Sequence, residues 1–139
     1  MKLRRFDLEK DKRERLVQRL EAMLRKHGEV VFAYIYGSFT EGLPFHDIDV
    51  GVYISEITKE ESTNYSLDLS QGLSRELKIP VDVRVLNFAP VLFLYHVIQG
   101  TLVLERDEEK RVQVVEKTIQ RYLDLKPIIR EGIKEAFSP

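Results

Sequence analysis

The chain has 139 residues, 43% of them hydrophobic, enough for one domain with a real core and too few for two ordinary ones. Although 32% of residues are charged, 22 Lys plus Arg stand against 23 Asp plus Glu, and a formal net charge of -1 excludes a global field for nucleic acid or an anionic membrane, leaving room only for a local basic patch. No apolar run reaches the roughly 18 residues of a membrane span, the start MKLRRFDLEKDKRER leads into no apolar signal region, and the lack of cysteine removes disulfides and thiolate metal sites, so a soluble, cytoplasmic protein is expected.

Leu16, Leu20, Met23 and Leu24 recur at three and four, predicting an amphipathic helix from about Leu8 to His27 that Gly28 closes. Its basic residues Lys10, Lys12, Arg13, Arg15 and Arg19 alternate with Glu9, Asp11 and Glu14, so they are expected on a solvated face. Val30–Tyr36 (VVFAYIY) is a continuous β-branched and aromatic run, as in a strand buried on both faces. From Asp47 to Ile54 the pattern alternates strictly: Ile48, Val50, Val52 and Ile54 point to the core, while Asp47, Asp49, Gly51 and Tyr53 point the other way.

Tyr65, Leu69, Leu73 and Leu77 advance by four and predict a second helix between Thr58 and Leu77. Pro80 opens a third strand, VDVRVL, with Val81, Val83 and Val85 on the core face and Asp82 and Arg84 opposite. A short helix runs from Pro90 to about Gln99, Gly100 stops it, and Thr101–Glu105 (TLVLE) forms a fourth strand. Val112, Val115, Ile119 and Tyr122 predict a last helix, broken at Pro127 and followed by an amphipathic tail, IIREGIKEAF. Tyr65, Leu69, Leu73, Leu77, Val112, Val115 and Ile119 are expected in the core. The fold class is α/β (α+β): a small mixed sheet of about four strands flanked by helices, in one domain over residues 1–139.

Two carboxylates on one strand face, Asp47 and Asp49, stand about 7 Å apart at Cβ. They repel unless a cation lies between them, and Mg²⁺, with its preference for oxygen, fits. Asp82 occupies the non-core register of its own strand, so the three carboxylates meet if the third strand pairs beside the second; the plainer alternative is a surface pair with Arg84 or Lys78. Gly37 and Ser38, at a strand end, offer backbone N–H groups and a hydroxyl of the type that holds phosphate oxygens. Metal-binding carboxylates beside a phosphate-binding turn describe nucleotidyl transfer, with two ions at an in-line displacement.

The stretch GSFTEGLPFHDIDVGV resembles the Gly-Ser … Asp-x-Asp signature of polymerase-β-type nucleotidyltransferases, and Asp82 in VDVRVL matches that superfamily's third aspartate. LNFAPVLFLYHVIQGTLVLERD followed by RYLDLKP resembles the minimal nucleotidyltransferase (MNT) antitoxins that pair with HEPN-domain toxins. The resemblance covers roughly residues 28 to 128. It implies a nucleotidyltransferase fold with a catalytic core at about 28–105 and C-terminal helices at about 107–137. It also implies Mg²⁺, two ions, held by Asp47, Asp49 and Asp82, nucleotide held by Gly37 and Ser38, and AMP transfer from ATP to a tyrosine of a HEPN-domain toxin partner.

The chain departs from many such relatives in three places. Eight residues, FTEGLPFH, separate Gly-Ser from the first aspartate in place of ten; His46 stands where a serine precedes that aspartate; and Glu41 stands where an arginine precedes the glycine matching Gly42. Two other classes remain open: a non-catalytic nucleotide- or partner-binding module that neutralises a toxin by complex formation, and a small-molecule, aminoglycoside-type nucleotidyltransferase. Direct nucleic-acid binding is not expected. A sheet edge or the C-terminal amphipathic helix is the natural surface for a homo- or hetero-oligomer.

Overall fold

The computed structural model describes residues 4–137. In chain order these form α1 (Lys10–Arg25), β1 (Val30–Tyr36), β2 (Ile48–Ile54), α2 (Lys59–Leu77), β3 (Val81–Val85), α3 (Val91–Ile98), β4 (Thr101–Glu105) and α4 (Glu108–Ala136). One four-stranded sheet has the order β3-β2-β1-β4. β1 is antiparallel to both β2 and β4, whereas β2 and β3 are parallel, so the sheet is mixed as its sequence patterns predict. Among the described residues no helix is long and apolar enough to cross a membrane.

Each sheet face has its own core because the strands alternate. Ile48, Val50, Val52 and Ile54 of β2 are buried against Leu16, Leu20 and Leu24 of α1 and Leu69, Leu73 and Leu77 of α2. On the other face Phe32, Tyr34 and Tyr36 of β1 gather with Leu86 and with Val97 of α3. β1 is central and therefore apolar on both sides, which explains its unbroken run of large residues. Gly51 lets α3 approach: a β-carbon there would stand 2.9 Å from side-chain atoms of both Leu86 and Val97. α3 thus packs over the middle of this second face, at a position between Asp49 and Tyr53 of β2.

The edge strand β3 is covered by hydroxyls. In the parallel ladder Ile48 N–H donates to the Pro80 carbonyl and Leu86 N–H to the Val52 carbonyl, so residues 81, 83 and 85 turn their backbone groups outward. Ser74 Oγ accepts from Val81 N–H at 2.8 Å and Ser70 Oγ accepts from Val83 N–H at 2.8 Å. Four helix residues advance about 6.0 Å and two strand residues about 6.6 Å, so serines one helical turn apart match alternate strand amides. This satisfies groups that would otherwise template edge-to-edge pairing.

Several sequence expectations need correction. α1 ends on Arg25; Lys26, still right-handed, turns its N–H back to the Met23 carbonyl and His27 N–H donates to that of Leu24, so tightening of the last turn replaces the expected Gly28 cap. Asp47 lies one residue before β2. α4 is one helix of 29 residues through Pro127, where a break was expected. The proline removes one N–H, but its orphaned acceptor belongs to Leu123, which is 55% exposed, so water can serve it.

Val112 and Val115 are only half-buried and Ile119 is exposed, so the expected inner face of α4 is misplaced. Thr118 is the buried residue of α4, and Val114 packs with the second core. The inward face is therefore rotated by about one residue from the most apolar stripe. Tyr65 lies at the margin of the first core, while Leu69, Leu73 and Leu77 are buried as expected.

Candidate active site

The segment between β1 and β2 brings the two halves of the site together. Gly37 has φ +86, a conformation L residues rarely adopt, and its carbonyl accepts from the N–H groups of Thr40 and Glu41. Leu43 N–H closes the turn onto the Ser38 carbonyl at 3.1 Å. None of these bonds uses the N–H of Ser38 or Phe39, and Ser38 is exposed. After Gly-Ser the chain thus makes a compact turn.

Arg13 fixes the turn from outside. Its guanidinium donates to the Leu8, Phe39 and Leu43 carbonyls at 2.8, 3.0 and 3.0 Å and lies over the rings of Phe39 and Phe45. Its side chain is 11% exposed, which corrects the solvated role expected for it. Charge alternation along α1 hides this function, because two of the three carbonyls, those of Phe39 and Leu43, are 26 and 30 residues away in sequence. Phe45 stacks on Phe6 and meets Phe39 edge-on, while Phe6 and Phe45 exchange backbone hydrogen bonds. The loop is thereby held at both ends before Asp47 begins the descent into β2.

Asp49 and Asp82 are direct partners across the parallel β2–β3 pair. With Asp47 they offer one carboxylate oxygen each within 4.8 Å of one another, and all three residues are half-buried. The sequence condition that β3 lie beside β2 is met. Burial, followed by the charges of Asp47 and Asp82, pushes the Asp49 carboxyl up to about 6, with Arg84 opposing. Burial and the Asp82 charge likewise raise Asp47, against His46 and Arg84. An oxygen-only donor set, in which neighbouring carboxylates help to raise Asp47 and Asp49, fits a hard divalent cation such as Mg²⁺.

Three neighbours complete the surroundings. Arg84 Nε stands 3.5 Å from Asp82 Oδ2, with its guanidinium over Phe93, so the surface pairing and the carboxylate cluster coexist. Tyr36, the β1 partner of Asp49, packs edge-on against Phe93 and His96, and burial reinforced by Asp49 raises its hydroxyl well above the usual tyrosine range. His46 Nδ1 lies 3.0 Å from the Arg4 carbonyl beside Asp47. Tyr36 escapes sequence reasoning because in VVFAYIY it is indistinguishable from a core aromatic.

The family described as "Polymerase beta, Nucleotidyltransferase" matches residues 18–109, the span that contains the turn, all three carboxylates and the sheet. The chain belongs to this nucleotidyltransferase family. Solved nucleotidyltransferase-like folds agree in architecture. A chain of the Shewanella oneidensis complex of a tri-AMPylated HEPN toxin with its MNT antitoxin superposes with TM-score 0.71 at 19% identity, covering 91% of this chain and 99% of that one. A chain of the toxin–antitoxin pair MntA–HepT gives 0.70 at 18%, covering 90% and 99%. A toxin–antitoxin structure with AMP-PNP gives 0.73 at 20%, covering 88% and 98%. At these identities the likeness is one of fold. No curated protein is detectably similar in sequence.

Proposed function

We propose that this nucleotidyltransferase is a single-domain antitoxin-type enzyme that moves AMP from ATP to a tyrosine hydroxyl of a HEPN-domain partner. The domain spans residues 1–139, with its catalytic core at about 28–105 and the C-terminal helical part at about 107–137, and it works in the cytoplasm. The convergence of Asp47, Asp49 and Asp82 within 4.8 Å beside the Gly37 turn carries the reading. Fold likeness to a chain of a complex containing an AMPylated HEPN toxin, and to one of a complex with AMP-PNP, supports the choice of donor and acceptor.

Asp47 and Asp49 are the residues to hold two Mg²⁺ ions, with Asp82 completing the set on the acceptor side. When bound, the ions neutralise charge on the triphosphate and lower the pKa of the attacking hydroxyl. Ser38, through its hydroxyl and the turn's N–H groups, grips the β- and γ-phosphates, and Gly37 gives those phosphates room. Asp82 orients the tyrosine hydroxyl and takes its proton. The phenolic oxygen forms a bond to the α-phosphorus, the bond from that phosphorus to the bridging oxygen breaks, and pyrophosphate leaves with the electron pair. Arg84, 3.5 Å from Asp82 Oδ2, pairs with that carboxylate on the acceptor side.

One observation favours a second reading. Glu41 places a negative charge in the turn assigned to phosphates, as in a module that binds its partner without turnover. Incubation with Mg²⁺, a HEPN-domain partner protein and ATP labelled at the α- or the γ-phosphate separates the two. The transfer reading predicts α-label retained on the partner and γ-label released as pyrophosphate. A stable complex with no label on the partner overturns it in favour of the binder.

A further inference from the structure

The sheet face that carries Asp49 holds a cavity of about 270 Å³ farther along β2. Tyr53 lies in it, four residues beyond Asp49 and therefore about 13 Å away along the strand. The floor is apolar, with Leu86 from the end of β3, Val91 and Leu94 from α3 and Val114 from α4. The rim is cationic, with Lys110, Lys117 and Arg121 all supplied by α4. No Asp or Glu lines it, although the chain as a whole has one more acidic than basic residue.

These cations are not needed by the fold. Arg111 on the same helix pairs with Glu105 at 2.7 Å, and Arg106 just before it donates to the Val30 carbonyl at 2.9 Å. Lys117 and Arg121, by contrast, form no ion pair or hydrogen bond with any described residue. They are one helical turn apart, a spacing at which like charges weaken a helix. Lys110 Nζ sits 5.5 Å over the Tyr53 ring, which holds its charge at the cavity mouth. Arg121 is also the first residue of RYLDLKP, a stretch with no place in the transfer chemistry.

We propose that this cavity binds a small organic phosphomonoester of the nucleoside monophosphate type, separate from the nucleotide undergoing transfer. The Arg121 fork and the Lys117 ammonium take the phosphate, and the ring lies on the apolar floor. Enclosure by sheet, α3 and α4, at a volume just below the roughly 300–1,000 Å³ of drug-sized sites, fits one small ligand better than a protein surface. The floor distinguishes such a ligand from bare phosphate. α3 is the shared wall: Leu94 faces this cavity, while its neighbour Phe93 meets Tyr36 beside Asp49.

Calorimetric titration of AMP into the full chain with EDTA present, which disables the metal-dependent site, tests the proposal. AMP should bind, adenosine and inorganic phosphate should each bind at least about tenfold more weakly, and Lys117→Gln and Arg121→Gln should each cost about tenfold. Asp49→Asn should leave AMP affinity unchanged. Four results overturn the proposal: no AMP binding up to millimolar concentration; AMP affinity lost in Asp49→Asn but kept in Arg121→Gln; inorganic phosphate binding as tightly as AMP; or a tetraglutamate peptide binding more tightly than AMP, which would make the face a protein interface.

Discussion

A β-carbon on Gly37 would stand 2.6 Å from Oδ2 of Asp49, so the Gly37 turn and the carboxylate cluster lie against each other. The turn's left-handed glycine is thus required twice, once by its φ of +86 and once by the space the carboxylate occupies. Gly37→Ala should cost roughly 1–2 kcal/mol for the backbone alone, and the added methyl must displace the Asp49 carboxylate. The expected outcome is a lower melting temperature together with loss of metal-dependent nucleotide binding. Normal binding in a folded Gly37→Ala protein would show that Asp49 does not need its present position.

Asp47→Asn and Asp49→Asn each relieve like-charge crowding at one end of the sheet. In metal-free buffer both variants should melt at the wild-type temperature or slightly above it. Adding Mn²⁺ or Mg²⁺ with ATP should then raise the melting temperature of the wild type but not of the variants, because only the intact cluster binds the added ligand. A thermal-shift series read with and without metal checks both arms.

The raised pKa of Asp49 sets a pH dependence of definite sign. Its carboxyl titrates near 6 in the folded, metal-free chain, against 3.8 for the ordinary group, so between those values the folded state holds more protons than the unfolded one. Stability from this group is therefore full below about pH 4 and is lost as pH rises through about 6. Wild-type minus Asp49→Asn melting temperatures in EDTA should fall across that window. A difference that rises with pH would contradict the assigned crowding.

Arg13 is expected to act on the site without touching it. Arg13→Ala removes a guanidinium from three carbonyls and two rings, and should destabilise the protein by roughly 2 kcal/mol. Arg13→Lys cannot reproduce the fork and should recover little of this. Nucleotide binding should weaken in both variants, measured by titration of an ATP analogue at a temperature where both remain folded. Unchanged affinity would make Arg13 a stability residue alone.

The serines of α2 should be visible in exchange. Ser70→Ala leaves Val83 N–H without its acceptor and Ser74→Ala does the same to Val81, each at about 1 kcal/mol. Hydrogen exchange of the Val81 and Val83 amides should accelerate in the matching variant only. Uniform acceleration across β3 would mean that the serines act through global stability rather than by covering the edge.

Much of this was legible in the sequence because strands announce their faces. The alternation of Ile48, Val50 and Val52 against Asp49 and Gly51 fixed which carboxylates share a face, and the register of Asp82 followed from Val81 and Val83. The parallel pairing of β2 with β3 then sets Asp82 beside Asp49. What stayed hidden involves groups that meet through space. Arg13 reads as one charge in a mixed run, yet it reaches carbonyls on a distant loop; Tyr36 reads as core. On α4 the most apolar stripe, Val112, Val115 and Ile119, is not the buried one, because the packing of Val114 and Thr118 against the sheet sets the rotation. Pro127 misleads for a related reason, since an exposed carbonyl can lose its helical donor without ending the helix.

The most direct test is the intact mass of the proposed HEPN-domain partner after incubation with ATP, Mg²⁺ and either the wild-type chain or one of Asp47→Asn, Asp49→Asn and Asp82→Asn. The account predicts adenylyl additions with the wild type and a loss of roughly 10²-fold or more in rate for each variant, the scale on which removing one preorganised charge-stabilising group acts. Additions at the wild-type rate from any one of the three variants would contradict the claim that Asp47, Asp49 and Asp82 form a single transfer centre.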